Sequence, residues 1–510
     1  MDARITEPPA ASRLRRAVML AVLIVYVASC AGSIRTTLPW CDEGWFADPA
    51  YNLFARGVMA NSTLDPTFGF GAVRVPGIDR HTYWVMPLYI LAQSAWYRLI
   101  GFDLFSMRTL SLVWGLGALA AWYFALCALL RDRTMATAAV ACIALDFHFI
   151  WASTAGRMDM MAIALGFAAL AVYLRWREEH FMRAVLASNC LMAAALFTHP
   201  YAILLFLDLA ILSLWFDARR LLKIGALATA AAPYLAGMAA WGLYIMRDPS
   251  SFRAQFGGNA ASRYDGMLLF KAPWTVIRRE VTNRYLDYYG AAPYSTGLSR
   301  LKLLILFTYL AAIIGILLVR KLRRHPGYRF LLFMTASHCF LLTAFDGKKV
   351  WTYLLYVVPM FATLLAVFVV TCWRERLLPR GLLAAACAVF LAVQCATTWS
   401  RVLRDDYDRR YLPATRFLAS HAGKNELIMG PSELAFQLGF DNNLLDDTRL
   451  GCISGKRANY IVIDKLGYAA AIMYLERDDP KCYHYIRKEL AERYRAVYDA
   501  GGYTIYARQS

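Results

Sequence analysis

Apolar residues in this chain gather in blocks long enough to cross about 30 Å of hydrocarbon. They run from Ala17 to Ile34, Leu104 to Leu130, Met135 to Trp151, Met160 to Leu174, Val185 to Leu196, Tyr201 to Phe216, Ile224 to Met246, Leu301 to Val319, Phe330 to Ala344, Tyr353 to Cys372 and Leu382 to Thr397. The pattern predicts an all-α polytopic membrane protein of about eleven transmembrane helices. Thr198-His199-Pro200 is the only break between two of the blocks.

Lys and Arg mark one end of these helices. Arg13, Arg15 and Arg16 precede the first block. Arg131 and Arg133, Arg175 and Arg177, Arg219, Arg220 and Lys223, Arg320 to Arg324, and Arg374, Arg376 and Arg380 each follow an even-numbered one. Positive loops stay on the cytoplasmic side, which puts the N-terminus inside and, with an odd number of spans, the C-terminus outside. The first block is too long for a signal peptide and lacks a small-residue cleavage site, so it reads as an uncleaved helix. Residues 1–400 then form the membrane domain, with outer loops at 35–103 and 247–300, and residues 401–510 form a soluble domain on the outer, periplasmic face. Asn425 to Met429, Tyr460 to Asp464 and Tyr503 to Ala507 read as strands and Lys481 to Tyr494 as a helix, which fits a small α/β domain.

Composition agrees with the membrane reading: 59% of residues are hydrophobic and 18% charged, and the mean hydropathy is +0.40. The net charge is +19. Residues 401–510 hold 17 basic and 15 acidic residues, so +17 of that excess belongs to the first 400. In a membrane protein this charge sets topology and meets anionic membrane lipids, which removes the usual inference of a nucleic-acid partner. The 11 Cys form no CxxC or Cys/His metal spacing, which argues against a zinc site and a disulfide framework. An outward tail would still allow Cys452 and Cys482 to pair. No internal repeat is visible, against the expectation for an inverted-repeat transporter.

The outer segments carry the candidate chemistry. Asp42 and Glu43, in Pro39-Trp40-Cys41-Asp42-Glu43-Gly44-Trp45, are adjacent carboxylates next to the first span, suited to act as a base or to ligate a metal. Asp48-Pro49 reads as the cap and first-turn proline of a short helix ending at Gly57, so neither upstream acid is needed there. Arg157 and Asp159 sit at the junction of two spans, where charge is costly unless turned toward protein or a cavity. His199 occupies another junction and suits a phosphate or a metal. The loop at 247–300 is basic on the side where few cations are expected, with Arg253, Arg263, Lys271, Arg278, Arg279 and Arg284; such residues suit a phosphate headgroup or anionic lipid. Asp346-Gly347-Lys348-Lys349 and Tyr353 then lead into a late span.

Asp42-Glu43, followed by Ala47, Ala50 and Gly57, resembles the signature opening the first outer loop of the GT-C membrane glycosyltransferases, a group that includes protein O-mannosyltransferases, aminoarabinose transferases and Rgt-type lipopolysaccharide transferases. Pro87-Leu88-Tyr89 with Trp96 to Gly101 resembles their second juxtamembrane helix, and Arg108 resembles the start of their second span. Pro49 falls inside what is usually an unbroken helix, and Val85 stands where aminoarabinose transferases carry a lysine, which argues against aminoarabinose as the sugar.

The resemblance implies an inverting hexosyl- or pentosyltransferase of the cell envelope inner membrane. It would move a sugar from a polyprenyl-phosphate donor to a lipid, glycan or protein acceptor at the outer face. Asp42, Glu43 and Asp159 are then the expected catalytic carboxylates, with Arg157, His199, Lys271, Arg278, Arg279, Lys348, Lys349 and Tyr353 on the substrates. A divalent ion (Mg, Mn or Zn) bridging Asp42 and Asp159 is one option, and metal-independent chemistry beside Arg the other. The alternative function is a transporter or flippase of a lipid-linked glycan, whose site is expected near the bilayer midplane on broken helices. A non-catalytic membrane scaffold is a third reading.

Overall fold

The computed structural model describes residues 9–67, 73–263, 266–295, 297–440, 443–465 and 467–509. Its helices are α1 (Pro9–Thr36), α2 (Cys41–Arg56), α3 (Pro87–Ile100), α4 (Leu104–Leu130), α5 (Arg133–Ala144), α6 (Phe147–Ala152), α7 (Asp159–Trp176), α8 (Phe181–Thr198), α9 (Ile203–Leu221) and α10 (Ile224–Ile245). After short helical turns between Pro249 and Ala291 come α11 (Leu298–Leu318), α12 (Pro326–Phe345), α13 (Val358–Glu375) and α14 (Arg380–Arg404). Ten helical stretches among the described residues are long and apolar enough to cross a membrane, and the chain is a multi-pass membrane protein.

The third expected span is different. The run from Met135 to Trp151 is two helices, α5 and α6, broken at Asp146. Its carboxylate accepts the N–H groups of His148 and Phe149 at 2.8 and 3.0 Å, starting α6, and takes Tyr309 Oη at 2.8 Å and Gln394 Nε2 at 2.9 Å. A buried carboxylate with four donors ends one helix and caps the next, while the apolar residues on both sides hide the break from a hydropathy reading. The expected span starting at Tyr353 is also shortened, because residues Trp351–Tyr356 form a 3₁₀ turn before α13.

A second correction concerns Asp48. α2 starts at Cys41 and runs through Pro49 to a left-handed Gly57. Asp48 caps nothing there; its oxygens collect Ser62 N and Thr63 N, each at 2.8 Å, both residues' hydroxyls at 2.9 Å, and Asn52 Nδ2 at 2.7 Å. It folds the loop back against α2.

The strands of the C-terminal portion are β1 (Ile428–Met429), β2 (Leu444–Leu445), β3 (Tyr460–Asp464), β4 (Tyr494–Ala500) and β5 (Tyr503–Arg508). They form one sheet in the order β2-β1-β3-β5-β4, with β1 parallel to β2 and β3, and β5 antiparallel to β3 and β4. Helices α15 (Leu412–His421), α16 (Tyr468–Asp478) and α17 (Pro480–Arg493) pack on it. Cys452 and Cys482 are disulfide-bonded, with Cα atoms 5.6 Å apart.

Up-and-down threading puts α2, α3, the 249–291 turns and the sheet at one end of the bundle and the arginine clusters at the other. There Arg177 meets Asp217 at 2.8 Å and Lys321 meets Glu375 at 2.7 Å, while Arg374 pairs with Asp132. A dominant apolar core fills the bundle, and a second one, with Phe46, Trp84, Tyr97 and Leu434, joins α2 and α3 to the C-terminal sheet.

Candidate active site

Adjacent residues Asp42 and Glu43 lie in the first turn of α2 and point to different neighbours. Glu43 Oε2 accepts the Trp40 N–H at 3.3 Å, a capping contact that the sequence reading withheld from it. Its two oxygens also take Arg108 Nε and Nη2, both at 2.7 Å, and Oε1 takes Gly156 N at 3.0 Å. Arg108 spends its remaining nitrogen on the carbonyls of Ile34 and Thr37, at 2.9 and 3.0 Å. Glu43 therefore bolts α2 to the end of α1, to α4 and to the turn before α7.

Asp42 faces a cavity of about 230 Å³. It pairs with Arg157, whose Nε donates to Asp159 Oδ2 at 2.8 Å. The Arg157 guanidinium lies 5.3 Å from the Trp40 ring centre and 5.7 Å from that of Phe46, which orients a planar cation on aromatic faces. Behind it, Asp159 Oδ1 stands 3.7 Å from His199 Nε2. His199 Nδ1 accepts the Tyr201 N–H at 3.1 Å, so the neutral ring carries its proton on Nε2. Burial pushes His199 down to about 4, which keeps that ring uncharged at neutral pH.

The opposite wall is formed by Arg263 and Tyr353. Arg263 Nη1 donates to Tyr353 Oη at 2.5 Å and its Nε to Asn259 Oδ1 at 3.1 Å; Asn259 in turn holds the Trp84 carbonyl at 2.9 Å. Among the described residues Arg263 has no carboxylate partner within 4.0 Å, so its charge is available to the cavity. Tyr201 and Tyr353 stack with centroids 3.9 Å apart. Val85 lines the same space, leaving the cavity's cations to Arg157 and Arg263.

Of the residues expected from sequence, Asp42, Arg157, His199 and Tyr353 line this cavity, with Asp159 and Glu43 directly behind its wall. Lys349 is buried beside it, its ammonium on the Thr343 carbonyl at 2.5 Å and 3.4 Å from Glu280. Arg279 reaches the Gly347 carbonyl at 3.3 Å, and Arg284 ties Glu280 and Asp346 together at 2.6 and 2.7 Å. Lys271, Arg278 and Lys348 are exposed and outside the lining. Arg263 belonged to the basic run of its loop, but nothing in that run separates the arginine that lines the cavity from Arg284, buried in its own ion pairs, or from those facing solvent.

The expected metal pair is spanned by a side chain: the Arg157 guanidinium lies between Asp42 and Asp159 as the cation they share. No group of three His, Cys, Asp or Glu suited to a metal gathers among the described residues.

The C-terminal sheet domain holds the N-terminal turn of α2 from outside. Ser432 Oγ donates to the Cys41 carbonyl at 3.0 Å, and Trp45 Nε1 to Asp446 Oδ2 at 2.7 Å. Asp446 also takes Ser432 N at 3.1 Å and Tyr468 Oη at 2.6 Å. Gly44 leaves room for this contact, since a Cβ there would stand 2.5 Å from the Ser432 carbonyl carbon.

No protein-family profile matches the chain, and no curated protein matches its sequence significantly. Solved structures do match. ArnT from Cupriavidus metallidurans bound to undecaprenyl phosphate aligns with a TM-score of 0.61 over 96% of this chain and 98% of its own, at 13% identity. This is the GT-C fold. The oligosaccharyltransferase of Archaeoglobus fulgidus, in complex with zinc and sulfate, gives a TM-score of 0.53 at 12% identity over 96% of this chain and 73% of that one. The archaeal oligosaccharyltransferase AglB from the same organism, in complex with an inhibitory peptide and a dolichol-phosphate, gives 0.53 at 12% identity over 96% of this chain and 74% of that one. In this chain that layout brings Asp42 of α2, Arg157 before α7 and His199 after α8 to one cavity.

Proposed function

We propose that this protein is an inverting membrane glycosyltransferase that moves a sugar from a polyprenyl-phosphate donor to a lipid, glycan or protein acceptor on the outer face. The observation that carries the reading is the meeting of one partly exposed carboxylate, Asp42, with two arginines, Arg157 and Arg263, around a single cavity at the end of the bundle. A carboxylate can accept the acceptor's hydroxyl proton, and two guanidiniums can hold the phosphate that leaves. The fold neighbours bound to undecaprenyl phosphate and dolichol-phosphate support the donor class.

In this mechanism Asp42 and Arg157 neutralise each other at rest. The donor phosphate competes for the Arg157 fork, with Arg263 and the Tyr353 hydroxyl on its other side, and frees Asp42 to face the acceptor. The acceptor oxygen attacks the anomeric carbon, its proton passes to Asp42, and the bond from that carbon to the phosphate oxygen breaks. Charge gathering on the phosphate is met by groups already in place, which lowers the barrier in a site shielded from water. Asp159 and Glu43 hold Arg157 and α2 in register, and His199 Nε2–H is a neutral donor beside them. Arg157 supplies positive charge between the carboxylates, which supports the metal-independent form of the reaction.

An apolar groove of about 690 Å³ between α3, α8 and α10 suits the donor's isoprenoid chain. Its Pro87 follows Met86 of the cavity and its Phe197 lies two residues before the cavity's His199, and Arg80 and Arg247 also line it. The transporter alternative is weakened because the charged groups collect at one end rather than near the midplane.

The test is transfer by purified protein in lipid from radiolabelled polyprenyl-phosphate sugars. Turnover that vanishes in Asp42→Asn supports the reading; no transfer from any such donor, with lipid-linked glycan crossing the bilayer instead, overturns it.

A further inference from the structure

The end of the bundle remote from the cavity holds a second recess. α1 packs tightly over its later half: Tyr26 and Cys30 are fully buried, and Tyr26 Oη donates to Ser153 Oγ at 2.7 Å. At Gly115 on α4 an added Cβ would collide with that tyrosine oxygen. Toward its N-terminus α1 parts from α4 and α5, and Met19 and Leu23 are only half-buried. The gap is a groove of about 500 Å³.

Its floor is apolar, with Leu116, Leu119 and Val140, the exposed Phe124 stands at its side, and its mouth holds Arg15 and Arg16 from α1 and Arg133 from the first turn of α5. Arg16 and Arg133 are exposed, and Arg15 and Arg133 both lie within electrostatic reach of Cys127 near the end of α4. Asp132, the acid next to Arg133, is paired with Arg374 and caps α5 through Thr134 N and Met135 N. Chain segments more than a hundred residues apart thus bring three guanidiniums to one end of an apolar slot.

Guanidinium forks match phosphate oxygens, and a slot lined by Leu, Val and Phe matches an acyl chain. We propose that the groove between α1, α4 and α5 is a binding site for an anionic glycerophospholipid of the leaflet opposite the catalytic cavity. Arg15, Arg16 and Arg133 hold the phosphate, and one acyl chain lies against Leu116, Leu119 and Phe124. Positive loop charge alone would attract lipid diffusely; the recess makes the contact stoichiometric.

Native mass spectrometry of the full chain titrated with phosphatidylglycerol or phosphatidylcholine tests this. The expected result is one phosphatidylglycerol per chain, held about tenfold more tightly than phosphatidylcholine, a loss of about 1.4 kcal/mol on exchanging them, and not displaced by inorganic phosphate. Retention should fall about tenfold in the triple variant R15Q/R16Q/R133Q, and equally in Ala120→Phe, which fills the groove while leaving every charge in place. The variant R320Q/R323Q/R324Q, basic on the same face but outside the groove, should bind as the parent does. Equal loss in that variant, or unchanged binding in Ala120→Phe, overturns the proposal, and Ala120→Phe decides it alone if the triple variant does not fold.

Discussion

Arg108 grips both carboxylate oxygens of Glu43 at 2.7 Å, and the two side chains are 2% and 1% exposed. One residue earlier, Asp42 pairs with Arg157 at a cavity wall and is 20% exposed. Two acids that are neighbours in sequence are therefore separated by their surroundings into a buried fastening and a group that faces the cavity.

Asp42→Asn should leave the thermal midpoint nearly unchanged and lower transfer by roughly a hundredfold or more, the usual size of a general-base contribution. Glu43→Gln should instead lower the midpoint, since breaking a buried ion pair costs about 3–5 kcal/mol. Thermal scanning and turnover measured on the same preparations separate the two. A stable but inactive Glu43→Gln beside an active Asp42→Asn would move the base to Glu43.

Arg263→Gln should reduce kcat/KM by more than about tenfold, because a hydrogen bond to a charged group is worth about 1.5–3 kcal/mol. The loss will appear in KM if Arg263 binds the resting donor and in kcat if it acts on the leaving phosphate. Lys348→Gln, at an exposed cation outside the lining, should cost far less and lose its effect at high salt. Equal losses in both variants would place the phosphate between Arg263 and Lys348.

The neutral state of His199 has a pH signature. Its folded value of about 4 lies below the ordinary histidine value of 6.5, so between those values the unfolded chain binds a proton that the folded one does not. Stability should fall as pH drops from about 6.5 to about 4, and the fall should be smaller in His199→Gln. Thermal midpoints across that range check it, and identical slopes in both proteins would show that His199 is not held neutral.

Gly44→Ala should damage both stability and turnover, because its methyl meets the Ser432 backbone and pushes the sheet domain from α2. Gly225→Ala, where nothing lies within 4 Å of an added Cβ, should be neutral or slightly stabilising. A Gly44→Ala protein with parental midpoint and rate would show that the domain contact does not position Asp42.

Dialysis against a strong chelator should leave transfer unchanged, since Arg157 already joins Asp42 and Asp159. Loss of activity restored by one divalent ion would require Arg157 to move aside for a metal.

Most of the membrane-crossing helices were legible in the sequence, because hydrocarbon imposes length and apolarity on each span and the Arg and Lys clusters mark one end of every pair of helices. It also singled out Asp42, Arg157 and His199, since charged or polar residues at the junctions of apolar blocks are rare enough to stand out. The tertiary structure decided what each does. Only packing shows that Glu43 is enclosed by Arg108 while Asp42 faces the cavity, and that Arg263, alike in sequence to its basic neighbours, is the one held on Tyr353. The Asp146 break escaped the hydropathy reading because two of its four donors, Tyr309 and Gln394, come from helices more than a hundred and fifty residues away. Local pattern fixes which segments leave water. Long-range hydrogen bonds and ion pairs fix which polar side chains remain free to react.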